Sequence, residues 1–244
     1  MGVSDSSWGG RARRLFRRTG FDIVRYAPEV SFRAQRSVLF SAQRIDVVFD
    51  VGANTGQYGA ELRADGFGGR IASFEPLRDA YGELQRRAAG DNDWLTFNLA
   101  LGDAPGEAVI NVSGNSQSSS LLPMQAVHRE NAPTSAYVGT QTVEVRRIDD
   151  VFDEVVPPGA RPFLKLDVQG FGRQVLAGAA ASLDRVTGIQ FEASLVELYE
   201  GEQLFPEMLS ELAARGFNLV AIAPVFMDAS SGRLLQLDAV AFRE

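Results

Sequence analysis

From about residue 45 the chain alternates short apolar runs with stretches of helical spacing. Val47 to Val51 is apolar apart from Asp50 and predicts a buried strand. Helical spacing follows over Tyr58 to Ala64, and Arg70 to Phe74 predicts a second strand. Leu77 to Ala89 reads as a helix, and Leu95 to Leu101 as a third strand closed by Gly102-Asp103. Glu107 to Val112 predicts an extra strand before a Ser/Asn/Gly-rich loop at residues 113–120, and Pro123 to Thr140 shows little periodicity. Thr142 to Arg146 is extended, and Asp149 is placed to cap a short helix running to Val155.

The second half repeats the pattern. Pro162 to Val168 predicts a buried strand ending at Asp167, followed by a helix over Gln174 to Leu183 with Val175, Leu176, Ala179 and Leu183 on one face. Thr187 to Glu192 is a further strand and Glu207 to Arg215 a further helix. Asn218 to Pro224 and Leu234 to Phe242, joined through Asp228 to Gly232, read as an antiparallel hairpin. Such alternation predicts an α/β fold: a doubly wound, mainly parallel seven-stranded sheet with a C-terminal antiparallel hairpin strand. Residues 1–44 form a helical appendage in this scheme, and residues 45–244 the main domain. The appendage holds a basic stretch, Trp8 to Arg18, with two readings: an amphipathic helix on an anionic membrane, or a solvated cap on the domain.

Composition narrows the chemistry. The net charge of −7 argues against nucleic acid as a partner for the whole surface. Zero cysteines exclude disulfides, thiolate catalysis and Cys-bound zinc, and a single histidine excludes a multi-histidine metal site. No apolar run reaches the roughly 20 residues that span a bilayer, and the first residues lack the apolar core of a signal peptide. A cytoplasmic protein is expected, with the basic N-terminus offering contact with the inner face of the membrane.

The candidate site opens with Asp50-Val51-Gly52-Ala53-Asn54-Thr55-Gly56 between the first strand and its helix. Gly52 and Gly56 permit unusual backbone angles and a close approach. Glu75 ends the next strand, 23 residues after Gly52, where a carboxylate can accept two ribose hydroxyls. The loop lacks the Gly-x-Gly-x-x-Gly spacing of dinucleotide sites, and Asp50 would repel a pyrophosphate. S-adenosylmethionine carries no phosphate but has an ammonium and a sulfonium, both attracted to acids. The set Asp50, Gly52, Asn54, Gly56 and Glu75 therefore points to that cofactor.

Further motifs extend the comparison: Phe-Glu-Pro at 74–76, Asn-Leu-Ala-Leu-Gly-Asp at 98–103, Ser-Ser-Leu-Leu at 119–122, Arg-Ile-Asp-Asp at 147–150, Leu-Lys-Leu-Asp-Val-Gln-Gly at 164–170 and Gln-Phe-Glu at 190–192. Together with residues 49–58, the chain resembles the FkbM family of S-adenosylmethionine-dependent O-methyltransferases over about residues 45–244. The resemblance implies the Rossmann-like fold of class I methyltransferases, and methylation of hydroxyls on sugars and other natural products. The tail is similar to that of bacterial and mycobacterial members, some of which act on deoxysugars of cell-envelope glycolipids, so the partner it implies is a small or lipid-linked sugar. In that fold Asn98, Ala100 and Asp103 lie in the neighbourhood of the adenine. Many relatives carry acids where this chain has Gln169 and Gly172.

For the chemistry, Asp167 and Glu192 are expected at the ends of adjacent strands, about 4.8 Å apart, facing one site. Asp167 could accept or orient the hydroxyl with Glu192 in support. In the lesser alternative both hold Mg²⁺, and in a third they contact the cofactor's ammonium or cap loops. His128 is either a base or a surface-loop histidine. Lys165 should share the face of Asp167, pairing with it or with Glu192. The serine run at 116–120 and residues 123–140 read as a lid or as a flexible loop. Rival functions are an NAD-dependent sugar-modifying enzyme, an inactive cofactor-binding adaptor, and a peripheral membrane protein acting through its N-terminus.

Overall fold

The computed structural model describes residues 17–21 and 26–243. Most of the basic stretch, residues 8–16, lies outside the described residues. The chain divides into two compact units, residues 1–42 and 43–244. Helix α1 (Phe32–Gln43) ends one residue past the boundary of the first unit. Ser31 starts it, its hydroxyl accepting the Ala34 amide at 3.3 Å.

The second unit is built on a seven-stranded sheet. Its strands are β1 (Val47–Val51), β2 (Arg70–Phe74), β3 (Trp94–Phe97), β7 (Pro162–Leu166), β8 (Gly188–Ser194), β9 (Phe217–Met227) and β10 (Leu234–Arg243), in the order β3-β2-β1-β7-β8-β10-β9. All neighbours run parallel except around β10, which is antiparallel to both β8 and β9. This is the doubly wound α/β sheet with one reversed strand that the alternating pattern predicts. Helices α2 (Gln57–Ala64), α3 (Arg78–Ala88), α5 (Ile148–Val155), α6 (Gly172–Ala177) and α7 (Phe205–Ala214) connect the strands, with α4 (Ala126–Asn131) in a separate excursion. Among the described residues no helix is long and apolar enough to cross a membrane.

Strand parity explains the core. Alternate residues point to opposite faces. On one face Phe49, Val51, Phe74, Leu164, Leu166, Ile189 and Phe191 pack into a single apolar cluster with Val151, Phe152 and Val175. Phe74 stacks on Phe49 and Phe97 with ring centroids 6.0 and 4.7 Å apart. The other face carries a polar row. Ser73, Asp50, Lys165 and Gln190 lie in direct register across β2, β1, β7 and β8. Four polar side chains in register inside a sheet each need a partner, because an unpaired buried polar group is costly.

Several local expectations are corrected. Leu95 to Leu101 is not one strand. Asn98 donates through Nδ2 to the Glu75 and Pro76 carbonyls at 2.9 and 3.0 Å, and the chain leaves the main sheet there. Ala100–Leu101 then forms β4 of a second sheet with β5 (Gly106–Ser113) and β6 (Tyr137–Arg146), in the order β4-β6-β5. Residues 123–140 are ordered by backbone pairing: the Gln125 amide donates to the Leu198 carbonyl and the Glu200 amide to that of Pro123. Asp149 does not cap α5. Its carboxylate accepts the Ala181 and Ser182 amides and the Ser182 hydroxyl, while Asp150 accepts the Arg147 amide at the start of α5. The helix predicted over Gln174 to Leu183 ends at Ala177, and Gly178 beyond it passes against the Gly102 carbonyl, where a Cβ would sit 1.9 Å from the oxygen.

Two helical glycines give opposite predictions. A Cβ on Gly59 in α2 would lie 2.2 Å from the Trp94 ring, whereas one on Gly82 in α3 meets nothing within 4 Å. Gly82→Ala should raise stability by about 0.5–1 kcal/mol through helix propensity. Gly59→Ala should lower it by about 1–3 kcal/mol through overpacking. Chemical denaturation of both variants checks this.

Candidate active site

The turn after β1 is held from within. Gly52 has φ 78°, and a Cβ there would meet the Asp167 carbonyl oxygen at 1.8 Å. Gly52 therefore serves the close approach of two strand ends. Asn54 has φ 47° and Gly56 φ 82°. The amides of Gly52 and Ala53 both donate to the Phe74 carbonyl, and that of Gly56 to Ala53. The Asn54 amide donates to Glu75 Oε2 at 2.8 Å, and the Leu77 amide to Oε1 at 2.8 Å. Glu75 thus clamps the turn to the β2 tip, with a second lone pair left on each oxygen. Burial pushes its carboxyl up to about 7, against the pull of the two amides. The Asn54 side chain accepts from Gln57 and donates to the Ser116 hydroxyl at 3.1 Å.

Asp50 departs from expectation. It is fully buried at position four of β1, and so presents no carboxylate at the strand end. Its Oδ1 lies 3.1 Å from Lys165 Nζ, and its Oδ2 accepts the Ser73 hydroxyl at 3.1 Å. The Trp94 indole donates in turn to Ser73. Lys165, the chain's only lysine, also reaches Asp167 Oδ2 at 3.4 Å and the Gly52 carbonyl at 3.3 Å, with the Tyr58 ring 5.2 Å away. Burial alone would lower its pKa, but Asp50 and Asp167 outweigh that and hold it above the ordinary lysine range.

Asp167 follows β7 directly, its amide donating to the Val51 carbonyl. Glu192 is the fifth of seven residues in β8, inside the strand rather than at its end. The pairing of Leu166 with Phe191 nonetheless sets Asp167 beside Glu192 on adjacent strands. Gln169 joins them: its Nε2 donates to Asp167 Oδ1 at 2.7 Å and to Glu192 Oε2 at 2.8 Å. Its Oε1 accepts the Tyr199 hydroxyl at 2.7 Å, and its carbonyl accepts the Ser120 hydroxyl at 2.6 Å. Gln236 Nε2 also donates to Glu192 Oε2, at 2.9 Å. Burial, then the charges of Asp167 and Asp238, hold the Glu192 carboxyl well above the usual range.

The serine run is cross-linked rather than loose. Ser116 meets Asn54, the Ser118 carbonyl accepts from Tyr199, and Ser113, Asn115, Ser118 and Ser119 bond among themselves. His128 lies on α4, buried, with its ring edge-on to Tyr199 at 5.1 Å. It is not on a surface loop, and burial lowers its pKa. Its ring also lies 5.4 Å from that of Phe226. Asn98 is tied to the Glu75 corner, Ala100 packs in the cluster with Leu77 and Val145, and Asp103 is exposed just beyond β4.

The structure brings together Asp50, Gly52, Asn54, Gly56, Glu75, Asp167 and Glu192, and adds Lys165, Gln169, Tyr199, Ser120 and Gln236. Of the added residues, Lys165 is already expected beside Asp167, and only Lys165 and Gln236 carry a further signal in the sequence. Polar residues alternate with apolar ones in Lys165-Asp167, Gln190-Glu192-Ser194 and Gln236-Asp238, the period of one sheet face. Among the described residues no group of three or more His, Asp or Glu side chains is arranged to hold a metal ion. Between the two carboxylates stands an amide donor, with an ammonium beside Asp167. That donor set does not fit Mg²⁺, which needs oxygen acceptors.

A family model described as the methyltransferase FkbM domain matches residues 50–219. Among curated proteins, 2-O-methyltransferase NoeI of Sinorhizobium fredii is 26% identical over 204 residues, covering 81% of this chain and 83% of the relative. Magnesium protoporphyrin IX methyltransferase from Synechocystis, solved with bound SAM, has a TM-score of 0.45 and 11% identity over 100% of this chain and 87% of its own. The 1,6-didemethyltoxoflavin-N1-methyltransferase of Burkholderia thailandensis has a TM-score of 0.43 and 13% identity over 96% and 84%.

Lys165→Met removes the cation from a fully buried carboxylate and should cost about 3–5 kcal/mol. Asp50→Asn combined with Lys165→Met should recover part of that loss, as neither charge is then left unpaired. Urea titration of the three proteins measures both effects.

Proposed function

The chain belongs to the methyltransferase FkbM domain family, and we propose that it moves a methyl group from S-adenosylmethionine to a hydroxyl of a sugar. One observation carries the choice of donor. The amides of Gly52, Ala53, Asn54 and Gly56 are all taken up by protein acceptors. A dinucleotide site needs such amides free for its pyrophosphate. These four are spent within the protein, leaving a pyrophosphate only the first amides of α2, which favours a nucleoside without phosphate. One lysine also stands among Asp50, Asp167 and Asp238, a negative excess that suits a cationic ligand.

When bound, the donor supplies an electrophilic methyl group on a positively charged sulfur. Glu75 holds the ribose hydroxyls with the lone pairs left on its two oxygens. The turn and the Ser116 contact fix the Asn54 backbone above it. Asp167 and Glu192 receive the acceptor hydroxyl and its proton, since the departing neutral thioether needs no acid. The Sinorhizobium relative is named as a 2-O-methyltransferase, which supports oxygen as the methylated atom. The acceptor reads best as a small or lipid-linked sugar, with the basic stretch from Trp8 to Arg18 available for an anionic membrane face.

Calorimetric titration with S-adenosylhomocysteine tests the donor site. Glu75→Ala should lose about 1–3 kcal/mol of binding if its carboxylate takes the ribose through charge-assisted hydrogen bonds. Equal affinity in the variant, or tight binding of NAD by the wild type, would overturn the assignment. Glu75 has its carboxyl raised to about 7, so its anion is incomplete below neutral pH. Wild-type affinity should therefore rise with pH through about 7, and Glu75→Gln should flatten that rise.

A further inference from the structure

We propose that Glu192, rather than Asp167, takes the proton of the acceptor hydroxyl, and that Gln169 is the positioning residue that assigns the two carboxylates their roles. This rests on the hydroxyl methylation proposed above. The two acids stand side by side, but their surroundings differ. Asp167 has a donor on each oxygen: Lys165 Nζ at 3.4 Å from Oδ2, and Gln169 Nε2 at 2.7 Å from Oδ1. Both of its oxygens are thus engaged by protein donors. Asp167 is suited to orienting a hydroxyl by accepting its hydrogen bond, and neither of its oxygens is left clear to take the proton.

Glu192 is arranged the other way. Both of its donors, Gln169 Nε2 at 2.8 Å and Gln236 Nε2 at 2.9 Å, converge on Oε2. Among the described residues none hydrogen-bonds Oε1, and the side chain is only partly buried. One oxygen is pinned and the other is left to a ligand. Low polarity and the neighbouring charges of Asp167 and Asp238 favour the protonated form, while Lys165 and the Gln169 amide oppose it. One carboxylate with both oxygens engaged and one with an oxygen open are fitted to different parts of a reaction.

Gln169 creates the difference. Its backbone sits at φ 49°, a left-handed conformation uncommon outside glycine. Ser120 holds its carbonyl, and the buried Tyr199 hydroxyl holds Oε1. With Oε1 occupied by that donor, Nε2 is turned to the carboxylates and spans them. An acid at this position would place a third negative charge between Asp167 and Glu192. The step then balances as follows. The hydroxyl oxygen bonds to the methyl carbon, the carbon–sulfur pair passes to sulfur, and Glu192 Oε1 receives the hydroxyl proton and leaves neutral.

Two measurements on the full chain test this. The first follows Glu192 by NMR of ¹³C-carboxyl-labelled protein, its signal identified by its absence in Glu192→Gln. Gln169→Met, which deletes the bridging amide, should move its titration up by about one pH unit. Tyr199→Phe, which keeps the packing, should move it the same way by less. The second measures transfer from labelled S-adenosylmethionine to a mixture of methyl glycosides. Glu192→Gln should lose at least about 100-fold in turnover while binding S-adenosylhomocysteine normally. Asp167→Asn should lose less, and Gln169→Met should shift the acid limb of the rate profile upward. A Glu192 titration unmoved by Gln169→Met, or an active Glu192→Gln beside a dead Asp167→Asn, overturns the proposal. A wild type that transfers to no glycoside instead counts against the sugar acceptor, and the titration then decides the role of Gln169 alone.

Discussion

The ion pair between Lys165 and Asp50 is the contact on which this site is built. Two charges inside a sheet are expensive to desolvate, and they persist only where geometry and hydrogen bonds are good. Here the pair joins β1 to β7 in direct register and reaches on to Ser73, Gly52 and Asp167. The glycine turn comes from one strand and the acid pair from the other two. Lys165 touches both halves and so couples the place of the donor to the place of the acceptor.

Around that pair, polarity is sorted by strand parity. The face with Phe49, Phe74 and Phe191 is uniformly apolar and supplies the burial that holds the sheet. The opposite face trades some of that burial for a row of hydrogen-bonded polar groups. Its next row, two residues further along the strands, contains Glu75, Gly52, Asp167 and Glu192. The chemistry of the site is thus the continuation of a structural row into the crevice at the carboxyl ends of the strands, where open α/β sheets bind their ligands.

Much of the frame was legible in the sequence. The parallel strands of the main sheet overlap short, mainly apolar runs, and Asp228 to Gly232 marks the hairpin. Glu75, Asp167 and Glu192 stood out as acids closing apolar runs. Other features depend on partners far away along the chain. Asp50 looks like a free strand-end acid until Lys165, 115 residues later, is brought beside it. Gln169 looks like the loss of an acid. Its role appears only when a left-handed turn aims it between two strands and Tyr199 fixes its orientation. The small sheet escaped because Ala100–Leu101 is too short to show a period, and its strand-mate β6 begins inside a stretch of low periodicity.

Lysine occurs once in this chain, and its amine is sealed under the Tyr58 ring against two acids. An acylating reagent therefore has a single side-chain target, shielded in the native state. The speed at which that nitrogen is modified becomes a clock for how often the central strands part, read without introducing any label.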